Sequence, residues 1–185
     1  IDFFREAVAL QQRYRPAGTL IVNALQTNGT LLDANWAGFL VEHRFLVGIS
    51  IDGPAAVHDP LRRDARGRAT HTKVLRGLGW LQRYGVQTNA LTVVHHLNYR
   101  RGRAVYRFLR RMGVRHIQFV PLVERMAGHA RLAAPPPAEP GAPPAPWTVP
   151  AEGLGLFLCD VFDDWLEHDV GRIFVQAIEE HVAAL

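Results

Sequence analysis

Polar side chains that could hold a ligand fall at four places, each directly after an apolar run. They are Gln26-Thr27-Asn28-Gly29, Ser50-Ile51-Asp52-Gly53-Pro54, Val94-His95-His96 and Pro121-Leu122-Val123-Glu124. Hydroxyl and amide groups can bond a ribose or a peptide, and a guanidinium such as that of Arg62 offers a planar fork suited to a carboxylate. Each feature alone also has a plainer reading. Thr-Asn-Gly and Asp-Gly-Pro are turn sequences, since Asn and Gly tolerate positive φ. His58-Asp59 could act as an acid/base or metal pair and reads first as a hydrogen-bonded loop brace. His95 and His96 are neighbours on an extended segment, so their side chains diverge and cannot chelate one ion. No glycine-rich dinucleotide or Walker pattern, paired carboxylates or Ser/His/Asp arrangement stands out, so no catalytic residue and no metal ligand is assigned.

The elements that must position these groups alternate between two periods. Phe3, Ala7, Leu10 and Tyr14 lie on one helical stripe, stopped by Pro16 and Gly18. Thr19–Leu25 then reads as a strand, Asp33 as the cap of a helix carrying Trp36, Phe39 and Leu40, and Phe45–Ile51 as a buried strand. A helix with Val74, Leu75, Leu78 and Leu81 follows, capped by Thr70 or Thr72 and stopped by Gly85. Thr88–Val94 is a strand, Ala104–Met112 a helix and His116–Val123 a strand. This is an α/β pattern with about four parallel strands, compatible with a doubly wound sheet or part of a barrel. In either, ligands sit at the carboxyl ends of the strands, where the polar groups are. Eight of the 12 prolines lie between Pro135 and Pro150, a loop or extended linker, after which Leu154–Glu167 and Ile173–Leu185 read as helices. The organisation is therefore 1–132, 133–150 and 151–185.

With 185 residues, 48% hydrophobic and 21% charged, the composition is that of a globular domain, and no apolar run is long enough for a membrane span. The net charge of +4 is carried almost wholly by arginine. Arg100, Arg101, Arg103, Arg107, Arg110 and Arg111 invite a nucleic-acid reading, but Val105, Phe108, Leu109 and Met112 form the apolar stripe of the same helix. A solvated basic face accounts for them, without interleaved aromatic stacking platforms. The one cysteine, Cys159, excludes an internal disulfide and reads as a buried, inert thiol. The opening Ile1-Asp2, without an initiator Met, is that of a fragment.

Taken in order, the blocks are more specific than their parts. Gln26-Thr27-Asn28-Gly29-Thr30-Leu31-Leu32, Val47-Gly48-Ile49-Ser50-Ile51-Asp52-Gly53-Pro54 with His58-Asp59 and Arg62, Leu91-Thr92-Val93-Val94, Ile117-Gln118-Phe119-Val120-Pro121 with Glu124-Arg125, and Asp169-Val170-Gly171-Arg172-Ile173-Phe174-Val175-Gln176 together resemble the anaerobic sulfatase-maturating enzymes. These form a branch of the radical S-adenosylmethionine (SAM) proteins. The first two blocks are shared with radical SAM maturases of other peptides; the last two narrow the resemblance to the sulfatase branch. It implies an incomplete (β/α)6 partial TIM barrel with C-terminal helices leading toward an auxiliary-cluster region. It also implies SAM and [4Fe–4S] clusters as cofactors, and oxidation of a Cys or Ser of a sulfatase to Cα-formylglycine by a 5′-deoxyadenosyl radical. Ser50 and Arg62 match the family's SAM contacts, Val123 the residue beside the adenine, and Gln26 and Asn28 project into the same mouth as candidate peptide-substrate or structural contacts.

The implied partners are a sulfatase polypeptide and an electron donor such as ferredoxin or flavodoxin, in the cytoplasm, without nucleic acid or membrane. The resemblance puts the Cys-x-x-x-Cys-x-x-Cys loop and a Gly-Gly-Glu-Pro segment before Ile1 and the auxiliary-cluster cysteines after Leu185. These 185 residues alone are therefore expected to be inactive and only marginally stable, with an unpaired edge at Thr19–Leu25 or its neighbour. A radical SAM maturase of another peptide and a non-catalytic, arginine-rich binding module are the alternatives.

Overall fold

Apolar strands bounded by glycine turns and amphipathic helices generate a repeating β/α order. The computed structural model describes residues 1–126, 133–134 and 142–182; part of the proline-rich stretch (135–141), residues 127–132 and the last three residues lie outside them. The elements are α1 (Asp2–Tyr14), β1 (Ala24–Thr27), α2 (Ala34–Glu42), β2 (Leu46–Ser50), α3 (Ala55–His58), α4 (His71–Arg83) and β3 (Thr88–Val94). A 3-10 turn (Tyr99–Arg101) leads into α5 (Gly102–Arg111) and β4 (His116–Pro121). The short pair β5 (Arg125–Met126) and β6 (Ala133–Ala134) precedes α6 (Ala151–His168), β7 (Phe174–Val175) and α7 (Gln176–Val182). The main sheet has five strands in the order β1-β2-β3-β4-β7. Its registered neighbours are parallel: Thr27 lies opposite Ile49, Val94 opposite Pro121 and Ile117 opposite Val175. Four strands were legible; β7 is the fifth, its two residues too short to show a period. No helix among the described residues is long and apolar enough to cross a membrane.

The chain divides into two units. The first comprises Ile1–Ser50 and Thr72–Asn89. Its core includes Leu32, Ala37, Leu40, Val47, Ile49, Val74, Leu78 and Leu81. Asp33 caps α2 as expected, its carboxylate accepting from the Trp36 amide at 2.9 Å. Helix α1 differs from its sequence reading. Phe3, Leu10 and Tyr14 are exposed, Val8 is its buried residue, and Phe4 makes edge contacts with Trp36 and Phe45. Aromatic density decided the buried face. The strand expected over Thr19–Leu25 begins only at Ala24, leaving Leu20 and Val22 exposed. β-branched composition favours extension there, but strand β2 starts opposite Ala24, and its first amide, of Leu46, reaches back only to the Asn23 carbonyl at 2.9 Å.

The second unit comprises Ile51–His71 and Ala90–Leu185. Helix α5 packs beside α6 and buries Val105, Phe108 and Leu109 of its expected stripe together with Tyr106, Phe108 meeting the His71 ring. Gly102 permits the approach, since a β-carbon there would lie 2.4 Å from the Phe157 carbonyl oxygen. The arginines of this helix lie exposed as expected, Arg110 alone half-buried, and three of them also gather around one carboxylate of α6. Asp164, whose side chain is fully buried, accepts from Arg107 Nε and, at 3.3 Å, from Arg110 Nη1, with Arg103 Nε 3.9 Å away. Asp169 accepts from Arg110 at 3.0 Å and from the Tyr106 hydroxyl at 2.8 Å; burial, then this bond, pushes the Tyr106 hydroxyl's pKa up. Cys159, expected to be buried, is exposed. The buried stripe of α6 is Gly153, Phe157, Val161, Asp164 and Trp165, and a residue two positions from both Phe157 and Val161 faces the opposite way.

Candidate functional site

In the first unit, β1 and β2 run side by side and deliver their carboxyl ends at one level. Asn28 follows the Thr27–Ile49 pair on one strand and Ser50 follows it on the other. Ser50 is buried, whereas Gln26 and Asn28 are exposed. The turn is built by its own side chains. Asn28 Oδ1 accepts from the Thr30 amide at 3.2 Å and the Thr30 hydroxyl at 3.0 Å, and the Thr27 hydroxyl accepts from the Gly29 amide at 3.1 Å. Asn28 is thus a turn former whose side chain is exposed and whose amide nitrogen donates to none of the described residues. Gly29 has φ +70°, a conformation that glycine adopts without strain. Helix α4 leans on it closely, for a β-carbon on Gly77 would lie 2.2 Å from the Gly29 carbonyl oxygen.

The second unit places Asp52 and Arg62 together. Asp52, its side chain 3% exposed, accepts from Arg62 Nε at 2.5 Å and Nη2 at 3.0 Å, and from the Val93 amide at 3.0 Å. A carboxylate held by three donors is a rigid anchor. This side-on grip leaves the Nη1/Nη2 end of the guanidinium for a second acceptor.

His58 stabilises the loop that carries Arg62. Its Nδ1 accepts from the Asp52 amide at 3.3 Å, so Nε2 bears the proton and donates to the Thr70 hydroxyl at 3.1 Å. That hydroxyl in turn donates to the Arg62 carbonyl at 2.7 Å. Asp59 accepts from the amides of Thr70 and His71. The His58-Asp59 pair is therefore a brace and not a metal pair, and no group of three or more potential metal ligands occurs among the described residues. Burial lowers the His58 pKa to about 4, against the opposing pull of the Asp52 charge. Because the folded value lies below 6.5, the unfolded chain takes up the proton first as pH falls. The stabilising contribution is whole above about pH 6.5 and declines toward pH 4, by about 3 kcal/mol in all. Urea unfolding at pH 7 and pH 4.5 should show this loss in the wild type, and His58→Gln should flatten it.

Just past β3 the two histidines lie in and beside a turn, their ring centroids 5.8 Å apart, closer than divergence on an extended strand would put them, and each bonds a different partner. The His96 amide and Nδ1 turn to the Trp147 carbonyl, at 3.4 and 3.2 Å. His95 is buried and held by Asn98, which accepts from the His95 amide at 2.7 Å and donates to the Val93 carbonyl at 2.7 Å. Val123 is 46% exposed just past β4, between Leu122, bonded to Val94 and Val149, and Glu124, bonded to Thr148 and the Trp147 indole. Gln26, Asn28 and Ser50 thus belong to one unit, and Arg62 and Val123 to the other. Sequence reasoning placed Asp52 and His95 among the polar groups at the strand ends but gave neither a role. Their signal was position alone, a carboxylate and an imidazole directly after apolar strands. The partners that give each its setting, Arg62 for Asp52 and Asn98 for His95, could be seen only in the structure.

No protein-family model matches the chain. Among curated proteins it is 38% identical over 186 residues to the serine-type anaerobic sulfatase-maturating enzyme of Bacteroides thetaiotaomicron, an alignment covering 99% of this chain and 44% of that protein. It is 33% identical to the cysteine-type enzyme of Clostridium perfringens over 90% of this chain and 42% of that one. The chain thus spans less than half the length of the curated relatives it matches. The solved structure of native anSMEcpe with bound AdoMet and the Cp18Cys peptide superposes with a TM-score of 0.81 at 31% identity, covering 97% of this chain and 47% of that one.

Proposed function

This chain is homologous, over nearly all its residues, to one stretch of the anaerobic sulfatase-maturating enzymes, and on that premise we propose that the full-length protein is a radical SAM oxidoreductase. Its reaction would convert a Cys or Ser of a sulfatase polypeptide to Cα-formylglycine in the cytoplasm, with ferredoxin or flavodoxin as electron donor. SAM, once bound and reduced, would supply the hydrogen-abstracting chemistry. The observation that carries this reading is the Asp52–Arg62 pair. A guanidinium pinned side-on by a buried carboxylate keeps its other edge aimed and ready for the carboxylate of an amino-acid moiety. In this reading Ser50 adds a hydroxyl at the end of β2, and Val123 presents backbone and apolar surface to the adenine. Gln26 and the side-chain amide of Asn28 meet the substrate peptide.

A four-iron cluster does not fit the residues of this chain. Cys159 is its one cysteine and lies exposed on α6, and a single thiolate does not hold such a cluster. We therefore expect the 185-residue polypeptide to remain metal-free and inactive after anaerobic treatment with iron and sulfide. Iron retained on desalting, or SAM cleaved by it, would overturn this. The function itself is tested with the full-length protein, SAM, a reductant and a Cys-x-Pro-x-Arg sulfatase peptide, alongside its Ser counterpart. Mass spectrometry should show thiol or alcohol becoming aldehyde. Unchanged mass for both peptides would exclude the activity.

A further inference from the structure

We propose that His95 is a second SAM-binding residue, its Nε2–H donating a hydrogen bond to an oxygen of the cofactor held by Arg62. The inference deepens the function proposed above and rests on it. Its starting point is an orphaned donor. The Leu97 amide donates to His95 Nδ1 at 3.1 Å, which commits the ring to the tautomer with its proton on Nε2. That Nε2 is buried and has no hydrogen-bond partner among the described residues, in a residue only 1% exposed. A shielded, unmet donor costs about 1–3 kcal/mol, so it marks a position where a partner is expected to arrive.

The ring is well prepared for that task. Asn98 bonds the backbone on both sides of Val94, the Asn98 amide donates back to the His95 carbonyl at 3.1 Å, and the Leu97 amide fixes the ring. With Nδ1 turned toward its own turn, Nε2–H points away from it. His95 follows the last residue of β3, and the Val93 amide two residues earlier bonds the same Asp52 carboxylate that grips Arg62. The imidazole also lies near enough to Asp52 and Arg62 to feel both charges, and burial keeps it neutral, so one fixed donor is on offer. His71 Nε2 is likewise unpaired. Its ring packs edge-on to His58 and tilted against Phe108, behind the brace that carries the Arg62 backbone.

The test is calorimetric titration of the full-length protein with SAM, independent of turnover. His95→Phe should weaken binding about tenfold, the worth of one hydrogen bond of roughly 1.4 kcal/mol. His95→Gln, which returns an N–H near the same place, should restore affinity to within about threefold. Should the Phe variant fold poorly, judged by its thermal midpoint, the Gln variant and a spectrum of ¹⁵N-histidine-labelled wild type decide. One Nε2–H resonance should shift and gain protection when SAM is added. Wild-type affinity in a well-folded His95→Phe protein, or an Nε2–H signal that SAM leaves unmoved, overturns the proposal. If Arg62→Ala loses binding while His95→Phe keeps it, His95 alone is excluded. If the wild type does not bind SAM, the functional reading falls and this inference with it.

Discussion

Arg62→Ala should cost the full-length protein about a hundredfold in SAM affinity, the loss expected when a two-point, charge-assisted contact to a carboxylate is removed. The same substitution acts twice. Asp52 is 3% exposed, and without the guanidinium its side chain keeps, among the described residues, the Val93 amide as its donor. A buried carboxylate stripped of its cation destabilises by about 3 kcal/mol. Arg62→Lys separates the two effects. An ammonium can neutralise Asp52 but cannot bond it side-on while presenting a second planar edge. The lysine protein should therefore recover most of the lost stability and little of the lost affinity. Chemical unfolding and SAM titration on the three proteins read both quantities, and equal SAM affinity in wild type and alanine variant would remove Arg62 from the site.

Asp164→Asn should be the most damaging change away from that site. Asp164 is the buried carboxylate at which Arg107 and Arg110 converge from α5, with Arg103 close by, while the His168 ring bonds its backbone carbonyl at 3.0 Å. The amide keeps the shape and removes the charge, leaving several cations around a neutral group. The guanidiniums are between 30% and 49% exposed and water will partly rescue them, so the loss is set at about 2–3 kcal/mol and not higher. For a chain of this length that corresponds to a thermal midpoint lowered by roughly 5–10 °C. Arg103→Ala, removing the most distant partner, should change the midpoint by much less. A midpoint unmoved in Asp164→Asn would show that apolar contacts alone join α5 to α6.

Local chemistry explains which parts of this fold were legible. Asp33 announced α2 because a cap needs only its own helix, and Thr88–Val94 matched β3 because alternation and flanking turns agreed. Errors came where a distant partner decided. Thr19–Leu25 looked like a strand, yet a strand exists only where a neighbour supplies its ladder, and β2 begins opposite Ala24. Phe174-Val175 is a strand only because His116 and Ile117 lie beside it. The α1 stripe was drawn through Phe3, whereas Phe4 had Trp36 and Phe45 to meet. In the candidate site, Arg62 was visible as a fork. That half of the fork is spent on Asp52 was not, because the two residues are ten apart and joined by an irregular loop.

The close seating of Gly77 on the carbonyl of Gly29 couples the buried side of α4 to the turn after β1. Any side chain at 77 has to push the peptide unit whose amide bonds Asn28, so the turn's geometry is policed from a helix more than forty residues later in the chain. If Gln26 and Asn28 meet a peptide as proposed, a screen confined to those two residues would leave that mechanical lever unsampled.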